Sequence, residues 1–149
     1  MKYETRQTSA ELIIVGAGYP GICAAIQAAR MDVKVIIIND RGVLGGNNSC
    51  EIGVGVNGAN DCAPINLNSR EGGLMSEMLL ELKYRSPDCN RYIWDTVLID
   101  FVNREKNIKV FLNTCIDEVD VGEDGDIIRV TGTQNTTEIR WSFTGRWFV

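Results

Sequence analysis

The chain has 149 residues, no histidine, and 15 basic against 20 acidic side chains, for a formal net charge of −5. A chain of this size forms one domain or part of a larger one, and an acidic balance without a basic cluster excludes nucleic acid as an expected partner. No run approaches the roughly 18 consecutive apolar residues of a membrane helix, and the polar start lacks the apolar centre of a secretory signal, so a cytoplasmic chain without a membrane partner is expected.

Without histidine there is no Ser-His-Asp or Cys-His catalysis, no imidazole acid or base and no histidine metal ligand. The five cysteines (Cys23, Cys50, Cys62, Cys89 and Cys115) are odd in number and never spaced C-x-x-C. Reduced thiols and no metal are therefore expected.

Residues 1–10 read as a polar leader and 11–149 as one domain. ELIIV, at 11–15, is a short apolar run stopped by glycine, as expected of a parallel strand buried on both faces. Residues 20–31 carry Ile22, Ala25, Ile26 and Ala29 at helical spacing, with Pro20 suited to a first helical turn. VKVIII, at 33–38, is a second strand, which makes the opening a βαβ unit. Residues 41–73 are rich in glycine, asparagine and serine; eleven of the fifteen glycines lie before residue 74. So long a loop in this position is expected to serve function.

Residues 74–85 form an amphipathic helix with Leu74, Met75, Met78, Leu79 and Leu82 on one face, followed by a proline-containing turn at 86–90. A second helix at 94–106 turns Trp94, Val97, Leu98, Phe101 and Val102 inward as core and leads to a strand at 108–112. Strands at 116–121, 126–133 and 138–143 read as an antiparallel meander, the first turn being G-E-D-G. The acidic run at 118–126 is a solvated hairpin tip rather than a calcium site. Residues 146–149, RWFV, look like the start of a further buried strand, and the chain is expected to be the front part of a longer protein.

The G-x-G-x-x-G pattern at Gly16, Gly18 and Gly21 stands between a strand and a helix, the context that gives it meaning. Gly16 makes the tight turn, Gly18 lets backbone approach a pyrophosphate, and Gly21 lets the helix pack closely on the sheet. The helix amino end offers N–H groups and a positive dipole end to phosphate. At the end of the second strand, where a carboxylate would accept from a ribose, the chain reads Asn39-Asp40-Arg41. Asn39 takes the usual acidic position, so an amide is expected at the ribose with Asp40 directed elsewhere. The further pair Gly45-Gly46 just beyond suits a ligand larger than a nicotinamide dinucleotide.

IIVGAGYPGICAAIQAAR, VIIINDRGVLGGNNSCEI, the W-D-x-V-L helix and the VFLNTCI strand together resemble the FAD-dependent oxidoreductases of the glutathione-reductase-like superfamily. Within it, the resemblance is to a bacterial group with a V-L-G-G-N-x-S-x-E stretch after the second strand. It implies an α/β fold: a Rossmann-like FAD-binding fold with a central parallel sheet plus an antiparallel β-meander, incomplete at its C-terminal end. It implies that Gly16, Gly18, Tyr19, Pro20 and Gly21 surround the FAD pyrophosphate and that Asn39, Asp40 and Arg41 lie at the adenosine ribose. Gly45, Gly46 and Asn47 would run along the ribityl-flavin side, and the Ile116 backbone would hold the adenine edge. It also implies a small-molecule substrate, with later flavin contacts, substrate domain and catalytic residues outside these 149 residues.

Cys50 or Cys62 could serve as a flavin-facing thiol, Glu51 as an acid or base, and Asn57, Asn60 and Asn66 as polar substrate contacts. For each, the ordinary alternative is a buried thiol, a solvated carboxylate or a turn residue. Two other functions stay open: a nicotinamide-binding Rossmann domain, and a non-catalytic nucleotide-binding fragment.

Overall fold

A computed structural model describes residues 3–56 and 72–149. Strand β1 (Glu4–Val15) leads into helix α1 (Tyr19–Arg30) and strand β2 (Val35–Ile38). After a single 3-10 turn (Gly46–Asn48) come helices α2 (Gly73–Arg85) and α3 (Arg91–Asn103). Four strands follow: β3 (Ile108–Phe111), β4 (Thr114–Val121), β5 (Ile127–Gln134) and β6 (Ile139–Phe148).

All six strands join one sheet in the order β3-β2-β1-β6-β5-β4. The β3, β2, β1 and β6 neighbours are parallel, whereas β6, β5 and β4 run as an antiparallel meander. In β2 the side-chain alternation of a strand is read directly in the core. Val35 and Ile37 face one apolar cluster while Ile36 and Ile38 face another, and all four are at most 1% exposed.

The first cluster is made by Ile14 of β1, by Ile22, Ala25 and Ile26 of α1, and by Trp94, Val97, Leu98, Phe101 and Val102 of α3. The α1 and α3 stripes expected from residue spacing are the buried ones. On the opposite face Ile13, Ile36 and Ile38 pack with Val130 and Phe143 of the meander, so strands cover that side where a second helix layer could have stood. Phe143 is fully buried, edge-on to Phe111 at a centroid distance of 4.9 Å.

Several boundaries differ from the sequence expectation. Residues 4–10, read as a leader, are the first half of β1 and pair with residues 139–145 of β6. Their side chains are mostly exposed, so backbone pairing holds them and no apolar period marks them. Residues 146–148 do not open a new strand; β6 runs on through Gly145 and sets Trp147 and Phe148 beside Leu12 and Ile13. Helix α3 begins three residues early because the Asn90 side chain caps it, accepting from the Tyr92 N–H at 2.9 Å.

The G-E-D-G turn closes the β4–β5 hairpin as expected, with the Gly122 N–H donating to the Asp126 carbonyl at 2.8 Å. Among the described residues no group of three potential ligands could hold a metal ion, and no helix is long and apolar enough to cross a membrane.

Replacing Phe143 with alanine should destabilise the chain by about 3–5 kcal/mol, because the site is walled by strands that cannot collapse into the void. Urea denaturation of the two proteins measures the difference; a loss under about 1 kcal/mol would mean that the meander is not packed as a core.

Candidate functional site

Helix α1 starts at the carboxyl end of β1, on the G-A-G turn. Gly16 takes a φ of +125°, open to glycine and costly to other residues, and donates its N–H to the Ile38 carbonyl at 2.8 Å. Gly21 is needed for packing: a Cβ there would overlap the Gly16 carbonyl oxygen. These two glycines are required by the chain itself.

Gly18 is different. Its φ and ψ of −67° and 174° suit any residue, and a Cβ built on it would meet only the Pro20 ring at 3.8 Å. Nothing among the described residues needs position 18 to be glycine. It is the N-cap of α1, without a side-chain capping bond, and no acidic residue stands in the first turn. The positive end of the helix therefore faces outward unneutralised beside a bare backbone.

The loop after β2 is drawn against this turn. Gly45 donates its N–H to the Ala17 carbonyl at 2.8 Å, and Gly18 and Gly45 form a parallel bridge. Gly45 and Gly46 have φ values of +109° and +58°. A Cβ at Gly46 would stand 3.2 Å from the Gly18 Cα, and one at Gly45 would stand 2.9 Å from Leu98 Cδ1. The second glycine pair thus fits between the phosphate-type turn and α3.

Behind it, Ser49 is fully buried and donates from Oγ to the Gly46 carbonyl at 2.7 Å. Asn48 accepts from the Trp94 indole N–H and donates to the Val54 carbonyl at 2.5 Å. The Trp94 ring stacks on Tyr19 at 5.8 Å, and the Tyr19 hydroxyl is buried without a hydrogen-bond partner. Burial, and then the nearby Cys23, push the ionisation of that hydroxyl well above its ordinary range. A cavity of about 360 Å³ opens here, lined by Gly18, Tyr19, Pro20, Gly45, Asn47 and Val54 among others.

The sequence candidates therefore fall into two groups. Gly16, Gly18, Tyr19, Pro20, Gly45, Gly46 and Asn47 come together at the amino end of α1. Asn39, Asp40 and Arg41 lie at the carboxyl end of β2, against the β3–β4 turn, where Thr114 and Asn113 donate their N–H groups to the Asn39 and Arg41 carbonyls. Ile116 follows two residues later on β4, half-buried, next to a register shift between Ile116 and Glu118. Asp40 is exposed, and Arg41 Nη1 is buried without a hydrogen bond, 3.8 Å from Glu51.

The Asn39 side chain is 6% exposed and engaged within the chain: Oδ1 accepts from the Ala17 N–H, and Nδ2 donates to the Arg41 and Val43 carbonyls. Sequence reasoning saw Trp94 only as core, and it missed Ser49 and Asp95. The indole N–H opposite an Asn-Asn-Ser loop was the available signal for the first; the other two had none. Cys62, Asn57, Asn60 and Asn66 lie outside the described residues.

Asp95 bears on the thiol candidate. Its carboxylate accepts the Cys50 backbone N–H at 3.0 Å and also binds the thiol, which raises the Cys50 pKa, with smaller contributions from desolvation and Glu51. The thiol is thereby held protonated, which is unfavourable to a nucleophile.

A parallel sheet whose first strand turns through glycine into an uncapped helix, with a second glycine loop beside it, defines a Rossmann-like dinucleotide-binding protein. A family model described as FAD dependent oxidoreductase matches residues 11–149, and the chain belongs to that family, whose cofactor is FAD. The tRNA uridine 5-carboxymethylaminomethyl modification enzyme MnmG of Treponema denticola is 29% identical over 122 residues, covering 73% of this chain and 19% of that protein. Among solved structures, the Mycobacterium smegmatis Sdh1 structure in complex with UQ1 matches with a TM-score of 0.65 at 15% identity, over 94% of this chain and 33% of that one. The L-proline dehydrogenase from P. horikoshii matches with a TM-score of 0.56 at 16% identity, over 99% of this chain and 23% of that one. These likenesses concern the fold, and the chain spans only a minor part of each relative's length. The residues present fit FAD: the uncapped helix end, the bare Gly18 backbone and the adjoining cavity are what a pyrophosphate and its neighbouring groups require.

Replacing Asp95 with asparagine should lower the Cys50 pKa, since the substitution removes the charge that opposes thiolate formation. Iodoacetamide labelling at pH 8, read by peptide mass spectrometry, should then run severalfold faster at Cys50 than in the wild type. An unchanged rate would dissociate Asp95 from the thiol.

Proposed function

We propose that this chain supplies the pyrophosphate and adenosine part of the cofactor site in a flavin-dependent oxidoreductase that takes hydride from an organic small molecule. The observation that carries the reading is Gly18, which lacks a side chain at a place where the chain has room for one and no backbone strain. Its bareness is explained by a ligand whose phosphate lies against the main chain.

In this reading the Gly18 and Tyr19 N–H groups and the dipole of α1 neutralise the pyrophosphate. Gly45 and Gly46 keep the second loop low enough for the ligand to continue past it, and Asn47 lies beside its path. Tyr19, fixed by its stack on Trp94, forms one wall and holds its hydroxyl proton at any physiological pH. Arg41 and Asp40 stand at the ribose end, with the Ile116 backbone at the adenine edge. FAD, when bound, supplies a two-electron acceptor for hydride. The chain's own residues bind and orient it, and Glu51, whose carboxylate stands 3.8 Å from Arg41 Nη1, is the acid or base candidate of the loop.

The test is an absorption spectrum of the purified chain after mixing with FAD and desalting, repeated for Gly18→Ala and Gly18→Val. Wild-type protein should retain the flavin bands. Gly18→Ala should lose them while keeping its melting temperature, since alanine at an unstrained glycine position is neutral or stabilises by about 0.4–1 kcal/mol. Undiminished flavin retention in both variants overturns the phosphate assignment, and retention of NAD in place of FAD by the wild type overturns the choice of cofactor.

A further inference from the structure

Asn39 stands where a ribose-binding carboxylate is expected, yet its side chain is turned into the protein. Only 6% of the residue is exposed. Its Oδ1 accepts from the Ala17 N–H at 3.2 Å, inside the G-A-G turn. Both Nδ2 protons are committed as well, to the Val43 carbonyl at 2.8 Å and the Arg41 carbonyl at 3.3 Å.

Its main chain is equally tied. The Asn39 N–H donates to the Phe111 carbonyl at 2.9 Å, and its carbonyl accepts from the Thr114 N–H at 2.8 Å. One residue therefore joins the phosphate turn, the loop that carries Gly45 and Gly46, the end of β3 and the start of β4. The Arg41 carbonyl that it reaches also accepts from the Asn113 N–H at 3.1 Å, so the brace extends into the β3–β4 turn.

An amide is the side chain this geometry demands. The position needs one acceptor and two donors, and a carboxylate offers acceptors only. With aspartate at 39, a charged oxygen would face the Arg41 and Val43 carbonyls in a nearly closed space; the Val43 carbonyl would lose its donor and the Arg41 carbonyl would keep only the Asn113 N–H. The next residue, Asp40, is exposed at the same end of β2, and its carboxylate makes no hydrogen bond or ion pair within the described residues.

We infer that Asn39 is a positioning residue that locks the two glycine loops together, and that recognition of the cofactor's ribose hydroxyls passes to the carboxylate of Asp40. This rests on the FAD reading for Asp40, but the brace itself is a property of the unliganded chain. It reverses the assignment made by position in the glycine fingerprint, in which residue 39 would be the ribose ligand and residue 40 a bystander.

Asn39→Asp separates the two assignments, because it restores the expected ribose acid while removing both donors. The ligand-free melting temperature is measured first, then FAD affinity by quenching of flavin fluorescence. The brace predicts a melting temperature lower by more than about 5 °C, or failure to fold. An unchanged melting temperature overturns it, whatever happens to FAD binding, and so does FAD affinity that rises. Asp40→Asn is the companion: it should leave the melting temperature within about 1 °C and weaken FAD by roughly tenfold, as expected for lost charge-assisted hydrogen bonds. Unaltered affinity in that variant overturns the role of Asp40. If wild-type protein takes up no FAD at all, the cofactor reading fails, while the melting temperatures still decide the brace.

Discussion

Two stretches of main chain touch at the amino end of α1, and the rest of the site is arranged around that contact. The turn after β1 and the loop after β2 meet at Gly18 and Gly45, close enough that a single Cβ at Gly46 would press on the Gly18 backbone. Close approach of this kind leaves main-chain N–H groups at the surface in place of side chains, which is the form an anion site takes when charge comes from a helix end. It also explains why α3 is packed where it is. Leu98 backs Gly45, and Trp94 supports both Tyr19 and Asn48, so the helix that builds the core also fixes the mouth of the cavity.

The opposite side of the sheet follows a different economy of material. A doubly wound sheet has helices on both faces, but here the second face is closed by the antiparallel meander, with Phe143 and Val130 against Ile13, Ile36 and Ile38. Long β1 makes this possible, because its second half belongs to the parallel array with β2 while its first half pairs with β6 alone. Ion pairs contribute little to this architecture. The Arg30–Glu77, Arg85–Asp100 and Arg140–Asp117 pairs lie at the surface, where solvent screens them.

Much of this was legible from residue order. The βαβ opening, the buried stripes of α1 and α3, the meander and its G-E-D-G turn all follow from period and turn chemistry, since burial wrote them into the choice of residues. The G-x-G-x-x-G pattern also marked the turn between β1 and α1. What stayed hidden was held by backbone and amide bonds instead. Residues 4–10 carry no apolar period because their strand is paired through its main chain and exposed at its sides. Asn39 shows the same blindness within the site. Spacing identifies its position, but whether its amide turns toward ligand or toward Ala17, Arg41 and Val43 depends on carbonyls that residue names do not reveal.

The pairing of β1 with β6 joins Glu4 to Ile139, so β1 leaves a ribosome well before the strand that it pairs with. Until then its amino half has only one neighbour to come and an open edge on both sides. Helix α1 and the β1–β2 contact can form early from nearby residues, whereas closing the sheet must overcome the entropy of a loop that spans most of the chain. A chain wired this way seals its sheet late, with the waiting strand as the segment most open to wrong partners in the interval.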